Sequence, residues 1–324
     1  MKRTFLLLKG TGATTPGWAT STGLSTQLTS SWNVGGIVWN GSIFCVTAGP
    51  STGTGVGRFT TSTNGLTWTT FTTAFSNATN MIGIVWTGSQ FCAIGNGTTN
   101  KCAYSSSGTS WTSVTGFATA FVGTNVYGMT KTASSTIIVV GGTGSTGAAS
   151  AYTTNGGVSW TASATIAGQF TARCPLGVAY NGTVYCAVGT AGSCATSSGV
   201  DSWVKNVILS AVTASDRSYL IWDGARFVTV GVDTSVQTST NGTSWSSLGN
   251  LPFSPSTGLS LVGTSVYAYG AAGQLAILTS GSTTWTTPST FTTAFGSGNT
   301  PLDAASNGTE IVVVGNSSAS ATSP

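Results

Sequence analysis

The sequence feature that most constrains the fold is a short segment, ending in tryptophan, that recurs along the chain. Its best-formed copy is TTNGGVSW, from Thr153 to Trp160. Successive tryptophans of the series are 43, 49, 43, 42 and 40 residues apart. This spacing indicates a chain built from copies of one supersecondary unit. The looser copies end at five tryptophans: Trp68, Trp111, Trp203, Trp245 and Trp285.

Each repeat contains four strand-like segments. An apolar strand runs into a turn, as in IVWNGS (37–42), IVWTGS (84–89) and VAYNGT (178–183). A second strand usually ends at glycine, a third leads into the tryptophan segment, and a fourth begins at the tryptophan. Asn-Gly predicts a tight hairpin turn, with positive φ at both central residues. No segment keeps a helical apolar spacing, so we expect essentially no helix.

Four short strands every 40–45 residues are typical of propeller blades. Seven first-strand turns predict an all-β fold, a seven-bladed β-propeller of four-stranded antiparallel blades, as a single domain over residues 1–324. The predicted repeats span 34–69, 79–112, 122–161, 174–204, 216–246, 258–286 and 300–324 plus 18–33.

The last repeat ends before its fourth strand. We expect the N-terminal segment around Ser25 to Asn33 to supply that strand, because SSW ending at Trp32 looks like the end of a repeat. Such closure would leave no free sheet edge. Residues 1–17 would then form an arm or an extra strand.

The segment from Thr153 to Trp160 fits the pattern S/T-x-D/N-x-G-x-S/T-W and resembles the Asp-box of sialidase-like β-propellers. The match is close in this copy alone, because Thr63 and Thr240 take the place of the acid in two others. The resemblance implies a turn between the third and fourth strands, at the blade periphery and away from the active face. It implies that the tryptophan packs between blades, and it carries a fold rather than an activity.

Acidic residues are too few to favour a glycosidase, which needs a pair of placed carboxylates. Histidine is absent, which excludes Ser–His and Cys–His triads and histidine metal sites. No motif brings together the three arginines of a sialidase. We therefore expect no enzyme activity, catalytic residue, metal or cofactor. Three of the six acidic residues remain as loop candidates: Asp216, Asp233 and Asp303.

Five of the six cysteines recur at equivalent strand positions and Cys174 precedes Pro175; the recurrence predicts small buried side chains that fill the core. Cys45, Cys92 and Cys186 lie in second strands, and Cys102 and Cys194 in third strands. Disulfides between Cys92 and Cys102, and between Cys186 and Cys194, are the alternative.

Loops that join strands two and three, and strand four to the next blade, share one face of a propeller. Function commonly lies on loops of a rigid scaffold. An FxTAF motif recurs in these loops from Phe71, Phe117 and Phe291. It is either a hydrophobic plug between blades or an aromatic contact face. On the second interpretation the candidate ligand contacts are Phe75, Asn77, Phe121, Asn125, Arg173, Arg217 and Phe295.

Composition narrows the class of partner. Only 5% of residues are charged, against about 25% in ordinary soluble domains. The basic residues are scattered and form no stripe, which argues against a nucleic-acid partner. The N-terminal apolar run is too short for a signal-peptide core. No run reaches the roughly 20 apolar residues of a membrane helix, so no membrane insertion is expected.

Few charges, no export signal and a Gly/Thr/Ser-rich β chain together resemble a bacteriophage virion protein. We therefore expect a non-enzymatic tail-fibre, head-fibre or decoration protein, made in a host cytoplasm and located in the virion. Its partners would be host-surface glycans, other virion proteins or further copies of itself. A free sugar-binding lectin, cytoplasmic or released by lysis, is the first alternative. A sialidase-like glycosidase is the second.

Overall fold

The chain is a seven-bladed β-propeller, as predicted. The computed structural model describes residues 17–28, 32–53, 55–74, 78–97, 101–122, 125–132, 134–143, 146–206, 216–254, 256–316 and 319–323, without the side chains of Thr79 and Thr146. The role predicted for residues 1–16 therefore lies outside the described residues. No helix in these ranges is long and apolar enough to cross a membrane.

The elements follow one another blade by blade. The first are β1 (Ala19–Thr20) and α1 (Gly23–Leu28). Blade 1 contains β2 (Trp32–Trp39), β3 (Phe44–Pro50), β4 (Arg58–Ser62) and β5 (Thr72–Thr73). Blade 2 contains β6 (Ala78–Trp86), β7 (Phe91–Gly97), β8 (Lys101–Ser105) and β9 (Thr112–Ser113). After α2 (Phe117–Ala120), blade 3 contains β10 (Asn125–Lys131), β11 (Ile137–Thr143), β12 (Thr146–Thr153) and β13 (Thr161–Ala162).

The second half repeats this order. A 3₁₀ turn (Ile166–Gly168) precedes blade 4, which contains β14 (Pro175–Tyr180), β15 (Tyr185–Gly189), a further 3₁₀ turn (Thr190–Gly192), β16 (Cys194–Ser197) and β17 (Trp203–Lys205). Blade 5 contains β18 (Arg217–Trp222), β19 (Phe227–Gly231), β20 (Ser235–Ser239) and β21 (Ser246–Asn250). Blade 6 contains β22 (Ser256–Val262), β23 (Ser265–Gly270) and β24 (Gln274–Leu278). After α3 (Phe291–Phe295), blade 7 contains β25 (Pro301–Ser306), β26 (Ile311–Gly315) and β27 (Ser320–Ser323), completed by β1.

Consecutive strands of each blade pair antiparallel. In blade 6 a single bridge between Ile277 and Thr286 stands in the place of the fourth strand. The first strands of neighbouring blades contact one another in a closed ring, so they form the innermost layer. Each blade then has two ends. The hairpin end carries the turns between strands one and two and between strands three and four, and the loop end carries the other connections.

The ring closes through β1, where Ala19 pairs with Thr322 and Thr20 with Ala321 of β27. Closure by an N-terminal strand is confirmed, but the predicted segment, Ser25 to Asn33, is wrong. Its described residues are 25–28, which lie in α1, and 32–33, which open β2.

Trp18 explains the shift in the closing strand. It directly precedes β1, as Trp111 precedes β9, so Trp18 is the tryptophan of the seventh repeat. Trp32 instead opens the first strand of blade 1. The apolar side chains of α1, Leu24 and Leu28, pack between blades 7 and 1.

Short helical turns fill the connections between several blades, which corrects the expectation of essentially no helix. Each turn places two apolar side chains four residues apart on the same side. These pairs are buried between blades, so the hydrophobic-plug interpretation of FxTAF is confirmed for the copies that begin at Phe117 and Phe291. The pairs are Leu24 and Leu28, Phe117 and Phe121, Ile166 and Phe170, and Phe291 and Phe295.

The hairpins between strands one and two differ from the two-residue turns that Asn-Gly predicts. Trp39 pairs with Phe44, which leaves a loop of four residues. The Asn40 side-chain oxygen accepts hydrogen bonds at 2.8 Å from the backbone N–H groups of Ser42 and Ile43. Positive φ occurs only at the glycine, Gly41, at 104°. An asparagine side chain therefore closes this turn in place of a second left-handed residue.

The tryptophan turns, defined as 62–68, 105–111, 153–160 and 239–245, share one set of hydrogen bonds. In the first, Asn64 Oδ1 accepts from the backbone N–H of Leu66 and Thr67, and Trp68 Nε1 donates to Gly65 O at 3.1 Å. Asn64 therefore accepts the turn hydrogen bonds that the Asp-box acid would accept. The prediction that Thr63 occupies the position of that acid is wrong. In the turn 239–245 the same position is held by Asn241, not by Thr240 as predicted. The sequence pattern missed both because these turns are one residue shorter than the copy at Thr153.

Each tryptophan turn packs on the preceding blade. Trp111 of blade 2 stacks on Phe59 of blade 1, with ring centroids 3.8 Å apart. A Cβ on Gly157 of blade 3 would lie 2.5 Å from Cys92 Sγ of blade 2. The turns thus join adjacent blades, as the packing of the tryptophan implied.

All six cysteines are buried free thiols, so their predicted core role is confirmed. Cys92 Sγ lies 3.8 Å from Cys102 Sγ, and Cys186 Sγ lies 3.8 Å from Cys194 Sγ. Burial raises the pKa of Cys45. These Sγ–Sγ distances exceed the roughly 2.05 Å of a disulfide bond, so the disulfide alternative is not formed in either pair.

Candidate binding site on the propeller axis

The aromatic contacts predicted for the loop end are mostly buried. Phe121 is 1% exposed and Phe295 is 3% exposed, and both plug gaps between blades. Neither ring can present a face to a ligand without leaving the core, so we withdraw both from the contact set. Asn125 is half-buried, and its Nδ2 donates to Tyr127 Oη at 3.4 Å. The last two candidates of this group, Phe75 and Asn77, lie outside the described residues.

The two predicted arginines brace loops of their own blades. Arg173 is half-buried and donates from Nη1 to Ala191 O at 2.8 Å. Arg217 is 0% exposed. It donates from Nη1 to Ser235 O at 2.8 Å and forms an ion pair with Asp233 at 2.7 Å. Arg217 is therefore also withdrawn as a ligand contact, because its guanidinium is engaged inside the protein.

The three loop carboxylates have separate surroundings. Asp216 accepts a hydrogen bond at 2.9 Å from Ala191 N–H, between blades 5 and 4. Asp233 accepts from Arg217 within blade 5. Asp303 lies in β25, the innermost strand of blade 7. Asp303 is thus the acidic residue of this group that lines the centre of the ring.

The centre of the ring is shaped by a β-bulge in the first strand of every blade. In β2, for example, the register shifts between Val34 and Gly36. A bulge adds one residue and bends the strand, which turns the following residue towards the axis. Glycine is needed at Gly258, where a Cβ would lie 2.3 Å from Leu302 O, and at the other four glycines a Cβ would lie 3.0–3.3 Å from a neighbouring atom. The residues after the bulges are Gly36, Gly83, Gly128, Gly177, Tyr219, Gly258 and Asp303.

Two cavities lie along the axis. The inner one, about 250 Å³, follows the bulges and includes Asp303. The outer one, about 430 Å³, opens at the hairpin end of the first strands. We call the outer cavity the axial mouth and define it by five of its lining residues: Trp39, Trp86, Lys131, Ser260 and Asp303. Its volume falls in the range of small-molecule sites, roughly 300–1,000 Å³.

Asp303 holds three blades together at the axial mouth. Its Oδ1 accepts from Ser260 Oγ of blade 6 at 2.6 Å and from Ala304 N–H at 2.8 Å. Its Oδ2 accepts from Ile37 N–H of blade 1 at 3.0 Å. Burial raises the pKa of Asp303 to about 6, against the lowering effect of these hydrogen bonds. Asp303 therefore titrates in a range where most carboxylates are already ionised.

The two tryptophans of the mouth come from the same register position in neighbouring blades. Trp39 ends β2 and Trp86 ends β6, and each is half-buried. Each ring packs against a phenylalanine of the next strand, with ring centroids 4.6 Å apart. In blade 3 the position holds Lys131, which also lines the mouth. The mouth thus combines two aromatic surfaces, a cation, a hydroxyl and a carboxylate.

Replacing Asp303 by asparagine is expected to flatten the pH dependence of stability between about pH 4 and pH 6. The folded-state pKa is about 6, above the roughly 3.9 of an exposed aspartate. The folded state therefore binds more protons in this window, and the stability present below pH 4 is lost as the pH rises through 6. A pKa difference of about two units between the folded and unfolded states changes the free energy of unfolding by at most about 3 kcal/mol.

Urea unfolding at pH 4, 5, 6 and 7 measures this effect. The comparison is between slopes, because Asp303→Asn also changes the hydrogen bonds to Ser260 and Ile37. Burial holds the pKa of Tyr269 well above its usual value, so this neighbour stays protonated in both proteins across this range. Equal slopes for wild type and Asp303→Asn would show that another group controls stability in this range.

Comparisons with known proteins show the fold of the chain. No family model and no curated protein matches the sequence. Among solved structures, YCF48 bound to D1 peptide matches with TM-score 0.67 and 14% identity, over 96% of this chain and 98% of that one. A catalytically inactive virginiamycin B lyase from Staphylococcus aureus with quinupristin matches with TM-score 0.73 and 11% identity, over 95% and 99%. The WD40 propeller domain of Doa1 matches with TM-score 0.64 and 10% identity, over 95% and 97%.

Proposed function

We propose that the protein is a non-enzymatic binding module that recognises a host-surface glycan at its axial mouth. The cavity of about 430 Å³ carries this proposal. Trp39 and Trp86 supply apolar faces that stack on the C–H faces of a sugar ring. Lys131 supplies a polar group for its hydroxyls, and Ser260 and Asp303, which are hydrogen-bonded to each other, form a polar part of the wall. An apolar pocket with a few convergent polar groups is the usual form of a ligand site.

The setting that we propose is a bacteriophage particle, in which the protein is a tail-fibre, head-fibre or decoration component. Its support is compositional, with 5% charged residues and 45 glycines in 324. The shared hydrogen bonds of the tryptophan turns further support the resemblance to Asp-box propellers. A free lectin would bind the same sugar without a particle. Co-sedimentation with purified particles from a lysate separates these two settings.

A glycosidase is less well supported than a binding module. Hydrolysis of a glycosidic bond commonly uses two carboxyl groups on either side of the bond. Of the described residues that line the axial mouth, Asp303 is the one with a carboxyl group. Its two oxygens already accept hydrogen bonds from blades 6, 7 and 1. A single engaged carboxylate fits orientation of a ligand better than acid–base chemistry.

Replacing Trp39 or Trp86 by alanine is expected to weaken glycan binding by at least about tenfold, which corresponds to about 1.4 kcal/mol. Each substitution removes one of the two stacking surfaces of the axial mouth. A glycan array identifies ligands for the wild type, and calorimetry with the best ligand measures the loss in each variant.

Trp222→Ala is the matched control. Trp222 holds the same register position in blade 5 and packs on Phe227 at 4.9 Å, but it does not line the axial mouth. It is expected to lose similar stability and to keep glycan binding. If all three variants bind like wild type, or if all three lose binding equally, the axial mouth is not the glycan site.

A further inference from the structure

A second cluster, at the loop end of blade 1, centres on a stacked arginine. The guanidinium carbon of Arg58 lies 3.8 Å from the ring centroid of Trp32 and 3.7 Å from that of Phe71. Trp32 opens β2, Arg58 opens β4, and Phe71 directly precedes β5. The two rings therefore cover both faces of the guanidinium and fix the plane in which its N–H groups point.

The edge of this guanidinium lacks an acceptor. No described residue accepts a hydrogen bond or forms an ion pair with Arg58, and its Nε is buried without a partner. Neither Nη is buried in this way, so the Nη end reaches solvent. Burial without a counter-charge lowers the pKa of Arg58. With both faces covered, the remaining way to satisfy this cation is an acceptor in its own plane.

We propose that Arg58 binds the carboxylate of an acidic sugar at the loop end of blade 1. A planar guanidinium edge matches a carboxylate in geometry, with two parallel N–H···O bonds. A single stacked arginine matches one negative charge rather than the higher charge of a phosphate. The chain between β3 and Arg58 begins with two exposed residues, Ser51 and Thr52, that have hydroxyl groups and no charge, which suits the hydroxyls of a sugar. The site lies at the opposite end of the blades from the axial mouth and does not depend on it.

The test compares two sugars that differ in one group. Galacturonate is expected to bind wild-type protein in the millimolar range, and galactose at least tenfold more weakly. Arg58→Gln, which keeps a planar group and loses the charge, is expected to lose galacturonate binding at least tenfold. Arg58→Lys is expected to lose it several-fold, because an ammonium cannot make the paired contact. Calorimetry or NMR titration gives each affinity.

Control variants separate this site from others. Arg173→Gln removes a half-buried arginine that braces Ala191 and is expected to leave galacturonate binding unchanged. Trp222→Ala, which lies outside both the axial mouth and the Arg58 cluster, is likewise expected to leave it unchanged. Circular dichroism confirms that each variant is folded. In the wild type, galacturonate is expected to shift the side-chain N–H resonances of Arg58, a measurement that needs no variant.

Several results would overturn the proposal. Galacturonate binding that survives Arg58→Gln would place the carboxylate elsewhere. Equal affinity for galactose and galacturonate would show that no carboxylate is recognised. Tighter binding of inorganic phosphate, or of an N-acetylated dipeptide with a free C-terminus, would assign the arginine to a different class of ligand. Absence of binding at tens of millimolar galacturonate, with no shift of the Arg58 resonances, would also reject it.

Discussion

Gly231→Ala is expected to lower the free energy of unfolding by more than about 3 kcal/mol, beyond the usual cost of overpacking. A Cβ on Gly231 would lie 1.8 Å from the backbone oxygen of Asp216. Gly231 pairs with Arg217 beside the bulge of β18, where the two chains approach closely. The clash involves backbone, so no side chain can turn away to relieve it. Urea unfolding followed by tryptophan fluorescence measures the change.

Gly298→Ala is the control for this substitution. Gly298 is exposed, and a Cβ there would meet no atom within 4 Å. Its effect is expected to stay within about 0.5 kcal/mol, as for an ordinary surface change. Equal stability of the two variants would mean that the strands can separate at the bulge without cost. The same close contact between backbones occurs at glycines of other second strands, where a Cβ would lie about 2 Å from a backbone oxygen. These glycines are Gly141, Gly189 and Gly315.

These glycines show what a repeated sequence can and cannot predict. The sequence shows that most second strands end at glycine, and the period of the tryptophans gives the number of blades. The reason for the glycine is a contact with the strand before it, which appears only when the bulged pair is built. The sequence predicts that an N-terminal strand closes the ring, but it does not predict which residues form that strand. A two-residue strand such as β1 carries no periodic signal, so the sequence does not distinguish Trp18 from Trp32 as the tryptophan of the seventh repeat.

The candidate site was harder to predict than the fold. Trp39, Trp86, Ser260 and Asp303 come from four different blades, and only closure of the ring brings them together. Nothing in their local sequence sets them apart from other strand residues. The FxTAF phenylalanines gave a stronger local signal, but that signal reports apolar packing. Whether an aromatic residue in a loop is buried or exposed depends on the neighbouring blade, which a single repeat does not contain.

Arg217→Ala is expected to lower the free energy of unfolding by about 3 kcal/mol, the lower end of the range for breaking a buried ion pair. The guanidinium is completely buried, while the Asp233 side chain is 31% exposed. Water can therefore partly solvate Asp233 once its partner is gone, which keeps the loss from being larger. Two hydrogen bonds to Ser235, from Nη1 and Nη2, are lost as well. Urea unfolding at neutral pH measures the total.

Arg173→Ala provides the matched comparison, because Arg173 braces the equivalent loop of blade 4 through one bond to Ala191 O without a carboxylate. Its loss is expected to cost about 1 kcal/mol, the typical value of one hydrogen bond.

In a double-mutant cycle, Arg217→Ala and Asp233→Ala are expected to couple by more than about 1 kcal/mol. Glycan affinity is expected to be unchanged in Arg217→Ala, since the side chain is closed to ligands. An Arg217→Ala protein as stable as Arg173→Ala, but deficient in glycan binding, would instead restore the contact role that the sequence suggested. The two outcomes distinguish an Arg217 that pairs with Asp233 inside the blade from an Arg217 that contacts a ligand at the surface. The ion pair at 2.7 Å favours pairing inside the blade.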